Sequence, residues 1–201
     1  MKSLGSFIIK PEGSRYDNQI KIGDKSLITN TKVEDHRSVS KRATVVSIPL
    51  SMRTDIKPGD SVIVHHNVFR RFYDVRGNEK NSGSYFKDDM YFCDVAQIYM
   101  YKKENNWCTN LEYCFVSPIE EISDFSLEKE QKHIGILKYG NKSLEALKIA
   151  PGDLVGFTKN SEFEFVVDGK RMYCMKSNDI VIKYEYKGNE KEYNPSWAKS
   201  R

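Results

Sequence analysis

The sequence has no apolar run long enough to span a bilayer; its longest, such as "VVSIPL" at 45–50, falls well short of the roughly 20 residues a membrane helix needs. The opening "MKSLGSFIIKPEGS" offers only a few apolar residues before Pro11 and Glu12, too few for a secretory signal, so the expectation is a cytoplasmic protein. Cysteine is scarce and unpaired in pattern: Cys93, Cys108, Cys114 and Cys174 form no C-x-x-C, which favours reduced, buried thiols over a zinc site. A dominant charge sign is also missing, since 32 basic residues are set against 28 acidic ones for a net charge of +4. That balance leaves no broad electrostatic footprint for nucleic acid. Nor is there a G-x-G-x-x-G, a P-loop or a G-x-S-x-G motif. The adjacent acids Asp88-Asp89 and Glu120-Glu121 read as solvated turn charges. Neither an enzyme nor a bound cofactor is expected.

Helical periodicity is scarce too, confined to short stretches at 143–149 ("SLEALKI") and 126–132 ("SLEKEQK"). What fills the chain is strand. "ATVVSI", "SVIVHH", "MYFCDVAQIYMYK", "LEYCFVSPI", "IGILKYG", "LVGFT", "FEFVVDG" and "DIVIKYEY" are rich in β-branched and aromatic residues and are separated by Gly, Pro, Asn and Asp. Many short strands with closely spaced turn signals predict an all-β protein built of small barrels or sandwiches.

The strands repeat. Ile56-Lys57-Pro58-Gly59-Asp60 aligns with Ile149-Ala150-Pro151-Gly152-Asp153 at a shift of 93, and Val62 and Val64 then fall opposite Val155 and Phe157. Asp94-Val95 and Tyr99-x-Tyr101 align with Asp179-Ile180 and Tyr184-x-Tyr186 at a shift of 85. "SFIIKPEG" and "YCFVSPIEE" both read as an opening strand ending at proline. Pro presets φ and Gly takes the positive φ of a type II turn, while Asp bonds nearby amides as the chain enters a strand. The order of parts predicts two copies of one module, at 1–104 and 105–187, followed by a polar tail at 188–201 that is expected to fray.

In combination these parts resemble the GroES-like co-chaperonin family. The second copy carries the resemblance best, in "GILKYGN" (135–141), "LKIAPGDLVGF" (147–157) and the closing Met-x-x-x-Asp-Ile of "YCMKSNDI" (173–180). The first lacks the glycines around "TVVSIP" and carries an insertion, "GNEKNSGS" at 77–84. The resemblance implies two tandem GroES-like β-barrels in a homo-oligomeric ring that caps a GroEL-like chaperonin over an unfolded client, with no catalysis of its own. It also implies a loop after the opening strand, tipped with aliphatic residues, that orders on docking. In the first copy that loop is 11–30, with Ser26, Leu27, Ile28 and Thr29 at the tip. "QIKIGDKSLIT" alternates about Gly-Asp, so the same residues also read as a hairpin packed on the barrel. In the second copy the equivalent 119–132 is shorter and offers Phe125 and Leu127, in a degenerate loop or a short helix capped by Ser126. Neither copy has room for the family's roof hairpin before the Pro-Gly-Asp turn, as in bacteriophage co-chaperonins.

Two alternatives stand beside this reading. A viral structural protein reusing the barrel would self-assemble without an ATP-dependent partner. "HHNVFRRFY" (65–73), with Arg70 and Arg71 among Phe69, Phe72 and Tyr73, has the aromatic–basic mix of a single-strand nucleic-acid binder. The adjacent His65 and His66 would point to opposite faces of a strand, which argues against a shared metal.

Overall fold

The computed structural model of the chain describes residues 2–16, 19–22, 25–28, 38–122, 127–185 and 190–200. It is an all-β protein of antiparallel sheets with a single short α-helix among the described residues. The chain divides into two compact units, Met1–Trp107 and Cys108–Arg201.

The first unit contains β1 (Phe7–Pro11), β2 (Gln19–Ile22), β3 (Lys25–Ile28), β4 (Arg42–Ser47), β5 (Ser61–Val64), β6 (Arg71–Tyr73), β7 (Glu79–Asn81), β8 (Tyr85–Lys87), β9 (Met90–Cys93) and β10 (Ile98–Lys103). β11 (Asn106–Thr109) follows β10 through Glu104 and Asn105, both at positive φ, as the tightest hairpin turns require. The main sheet runs β11-β10-β5-β4-β1-β9-β8. Among the described residues β2 pairs only with β3, and β6 only with β7, each as a separate ribbon.

The second unit continues with β12 (Tyr113–Glu120), β13 (Glu130–Tyr139), α1 (Lys142–Ala146), β14 (Leu154–Phe157), β15 (Phe163–Val167), β16 (Lys170–Lys176) and β17 (Ile180–Lys183). Its sheet runs β15-β16-β12-β13-β14-β17. Strand for strand this is the order β8-β9-β1-β4-β5-β10 of the first unit. Both sheets are open in their strand pairing.

The register makes the equivalence residue by residue. Ile9 pairs with Val45 and Tyr91, and Val116 pairs with Leu137 and Tyr173. Val64 pairs with Ile98, and Phe157 with Ile180. The cores repeat accordingly: Phe7, Ile9, Val45, Val62, Val64, Cys93 and Ile98 occupy the places of Cys114, Val116, Leu137, Val155, Phe157, Met175 and Ile180, and all fourteen are buried. Burial of such side chains is the dominant favourable term in folding, at about 1.5–3 kcal/mol for each large one.

The Pro-Gly-Asp turns are the same object twice. Gly59 and Gly152 sit at φ 93° and 99°, where only glycine is unstrained. The Asp60 carboxylate accepts the Lys57 N–H at 2.7 Å, and the Asp153 carboxylate accepts the Ala150 N–H at 2.8 Å. Each turn is then stitched to the preceding strand, Gly59 donating to Val45 O and Gly152 to Leu137 O, both at 2.8 Å.

Four sequence expectations need correction. "MYFCDVAQIYMYK" is two strands, because Asp94 begins a 3-10 turn at Val95–Gln97 that lets the chain cross from β9 to β10. No helix forms over the described part of 126–132: Glu130–Lys132 belong to β13, held there by the β12 ladder. The histidine rings are not on opposite faces. His65 caps a 3-10 turn, its Nδ1 accepting the Asn67 N–H at 3.1 Å, and the two rings stack at 4.3 Å. The tail is docked over 190–199 rather than frayed, with Ala198 buried.

Candidate functional site

Between β1 and β4 the first unit sends out an excursion with a built neck. Tyr16 and Val39 face each other in an antiparallel bridge and are both buried, and Ser40 N–H donates to Arg15 O at 3.0 Å. Arg15 lies over the Tyr91 ring at 5.1 Å and donates to Asn81 Oδ1 at 2.6 Å and to the carbonyls of Phe69 and Arg70. Burial lowers the Arg15 pKa from its ordinary value and raises that of Tyr91 to about 12. The Arg71 N–H donates to Tyr16 Oη at 2.7 Å, and its guanidinium lies over the same ring at 4.7 Å. A buried Tyr needs a partner for its hydroxyl, and this one also anchors the start of β6.

Beyond that neck stands the β2–β3 hairpin, in the register Gln19↔Ile28, Ile20↔Leu27, Lys21↔Ser26 and Ile22↔Lys25. Three of the four tip residues expected from the sequence, Ser26, Leu27 and Ile28, therefore lie in β3, and Thr29 lies outside the described residues. The excursion begins after Tyr16 rather than at Pro11, which is the last residue of β1.

The second unit closes the same gap tightly. Glu120 pairs with Glu130, and Glu121 N–H donates to Lys129 O at 3.1 Å. Leu127 and Ile122 are exposed there, while Phe125 and Ser126 lie outside the described residues. Beside this short segment sits a polar knot. Arg171 is forked onto Glu130, donates to Glu164 at 2.6 Å, and bonds the Tyr173 hydroxyl at 2.6 Å, which in turn donates to Glu130 at 2.6 Å. Burial alone would raise the Glu130 pKa, but the Arg171 and Tyr173 hydrogen bonds outweigh it and hold the carboxyl below its ordinary value.

The tail finishes that flank. Tyr193 N–H donates to Pro118 O at 2.8 Å and Glu120 N–H to Lys191 O at 2.7 Å, so the tail runs beside the far end of β12. Asn194 clamps the β15–β16 turn, accepting from Arg171 N at 3.1 Å and donating to Gly169 O at 3.0 Å. Tyr193, Pro195 and Trp197 with Glu130, Glu164 and Arg171 line a cleft of about 540 Å³.

Arg15 and Tyr16 were not singled out from sequence, and Arg71 was named only for nucleic-acid binding. The signal for them was Arg15-Tyr16 at the close of an otherwise polar run, matched later by the arginines of "FRRFY". That latter stretch is no continuous strand: Phe69 is core, Phe72 and Tyr73 are exposed, and Arg71 is ion-paired to Glu79 at 2.5 Å. No histidine, cysteine or carboxylate cluster suited to a metal occurs among the described residues. No described helix is long and apolar enough to cross a membrane. Burial pushes the Cys114 thiol up to about 12 and raises Cys93 and Cys174 as well, while Cys108 is half-buried. No protein-family model matches the chain, and no curated protein matches it in sequence.

Proposed function

We propose that this protein is a co-chaperonin: a ring-forming cap, built of two GroES-like modules per chain, that closes a bacterial-type chaperonin and assists ATP-dependent folding without chemistry of its own. In this reading each six-strand array is one of the family's small barrels. The observation that carries the reading is the pairing of a duplicated strand order with a single long excursion after the opening strand. That excursion is clamped at Tyr16–Val39 and carries a hairpin that pairs with no other described strand.

The design suits a docking element. A neck fixed by buried aromatic and arginine contacts sets where the hairpin leaves the module, while Leu27 and Ile28 supply the small aliphatic anchor for an apolar groove. Each contact is weak, and several around a ring add up to avidity that is still quickly released. The second module, with only nine residues between β12 and β13, contributes to the wall of the cap. Between β4 and β5 there is no strand, and between β13 and β14 only α1, so the cap has no roof hairpin and encloses a larger chamber, as bulky viral capsid clients would require.

The test is direct. The chain is mixed with a bacterial chaperonin and ATP, and complex formation is followed by electron microscopy alongside refolding of a denatured substrate. A nucleotide-dependent complex with assisted refolding is expected. No complex with any plausible host chaperonin, together with self-assembly of the chain, would replace this reading with that of a structural assembly protein.

A further inference from the structure

Beyond its last strand the second unit has a tail that returns to the sheet, whereas the first unit's β10 turns straight into β11. The tail is fastened at several points. Glu192 bridges Ile119 and pairs with Lys138, Asn194 holds the β15–β16 turn, and Ala198 is fully buried. Residues two apart along an extended chain share a face. Anchoring Glu192 and Asn194 therefore leaves Tyr193 and Pro195 turned to the cleft of about 540 Å³ beside the Arg171 knot. The 3-10 turn at Ser196–Ser200 then brings Trp197 into the same lining.

Trp197 is 43% exposed although its neighbour Ala198 is fully buried. A tryptophan on average buries most of its surface. One held in place by a docked tail and left nearly half bare in a cleft is a flat apolar platform, ordered before any guest arrives.

The polar part of the lining sets what that guest is. Glu128, Glu130 and Glu164 stand against Lys129, Lys132 and Arg171, so the formal charge of the cleft sums to zero. Most of these groups are committed to one another, Arg171 to Glu130 and Glu164, and Lys132 to Glu128 at 2.6 Å. An ionic guest would compete with those pairs, at greatest cost at Arg171, whose side chain is only 11% exposed. A neutral guest leaves them intact. What the rim offers it is hydrogen bonding, from exposed Lys129, the Tyr193 hydroxyl and the half-exposed carboxylate of Glu164.

We infer that this cleft binds a neutral sugar, a pyranose unit of an oligosaccharide, stacked on Trp197. One face of a pyranose is made of C–H groups, which pack on the electron-rich face of an indole, and its rim of hydroxyls both donates and accepts. The volume lies within the roughly 300–1,000 Å³ usual for small-molecule sites. The site lies wholly in the second unit and owes nothing to the co-chaperonin reading; it is tested without any chaperonin, so either can fail alone.

The experiment applies the full chain to an array of neutral oligosaccharides, with sialylated, sulfated and cationic glucosamine glycans as charged arms. The neutral glycans that bind are then titrated by calorimetry. Binding confined to neutral glycans and unchanged by added salt is expected. Trp197→Ala should weaken it by about 10-fold or more, Trp197→Phe should recover most of the loss because a smaller ring still stacks, and Tyr193→Phe should weaken it severalfold. Hydrogen exchange at the Tyr193 and Asn194 amides reports whether the tail stays docked. If Trp197→Ala releases the tail, Tyr193→Phe and Lys129→Ala, which leave every anchor in place, decide the matter. No bound neutral glycan, tighter binding to a charged arm, or wild-type affinity in the variants that keep the tail docked overturns the inference.

Discussion

Gln97 and Asp179 hold one structural position in the two units. The Gln97 side-chain oxygen accepts the Asp94 N–H at 3.0 Å, and the Asp179 carboxylate accepts the Lys176 N–H at 3.1 Å. Each residue's own carbonyl then receives the strand opposite, from His65 N–H at 2.8 Å and Thr158 N–H at 2.9 Å. The closing Asp-Ile of the second copy is thus Gln-Ile in the first, and what the position requires is an acceptor rather than a charge. Asp179→Ala, which also removes a 3.3 Å bond from Thr158 Oγ1, should cost about 1–2 kcal/mol, and Asp179→Gln about half as much or less. Urea denaturation midpoints of the two variants check this; equal losses would show that the acceptor is not what matters.

Gly135 marks a close approach of β13 to β12. A Cβ built there would fall on Ser117 O and lie 2.6 Å from Val116 Cγ1, a clash with backbone that cannot swing away. Its register counterpart is Ala43, which pairs with Pro11 as Gly135 pairs with Pro118. Gly135→Ala should therefore lower stability by about 2–3 kcal/mol, while Ala43→Gly costs about 1 kcal/mol. Thermal unfolding of both variants reads the difference.

These two positions show how far the sequence could be read. Strand composition and turn residues were enough for the all-β class, and Pro-Gly-Asp was enough to find equivalent turns, because such a turn is specified locally by φ and one side-chain bond. The register after β9 was not legible. Aligning Asp94 with Asp179 gives a shift of 85, whereas the ladders put Ile98 opposite Ile180, a shift of 82. Asp94 is the residue before the 3-10 turn and Asp179 the last within it, so identical letters hold different places. The excursion's aliphatic alternation allowed a hairpin as the alternative to a docking loop, and β2 and β3 do pair, but its neck depends on Arg15, Tyr16, Arg71 and Tyr91 meeting across long sequence separations. Nothing local announces such a meeting. The tail's docking was hidden for the same reason, since Asn194 reads backbone groups of a turn more than twenty residues earlier.

Acid should loosen the second unit through Glu130. Its folded pKa lies below the ordinary 4.5, so its contribution is fully present above that value and is lost as pH falls through the lower folded one. Glu130→Gln should be less stable than wild type by about 2 kcal/mol near neutral pH, since it leaves Arg171 without its forked partner. The gap should close as pH falls through the lowered folded pKa of Glu130. Melting temperatures across that range decide it; a gap that stays constant in acid would mean the Glu130–Arg171 pair is not the sensitive group. Arg171→Lys should behave like a loss, because a single ammonium cannot hold Glu130, Glu164 and the Tyr173 hydroxyl at once.

Docking and neck should separate by mutation. Under the proposed co-chaperonin role, Leu27→Ser with Ile28→Ser removes the proposed aliphatic anchor from a hairpin that pairs with no other described strand, so chaperonin binding should be lost while the melting temperature moves little. Tyr16→Phe does the reverse. It takes away the acceptor of the Arg71 N–H in a part-buried place, which should cost about 1–3 kcal/mol in stability. The hairpin keeps its sequence but leaves the module from a looser base, so its affinity should fall only severalfold, by the added cost of ordering the neck on docking. Binding by interferometry and unfolding by calorimetry on the same two variants give four numbers. If the double serine variant still binds as wild type, Leu27 and Ile28 are not the anchor; if Tyr16→Phe abolishes binding with unchanged stability, the neck itself touches the partner.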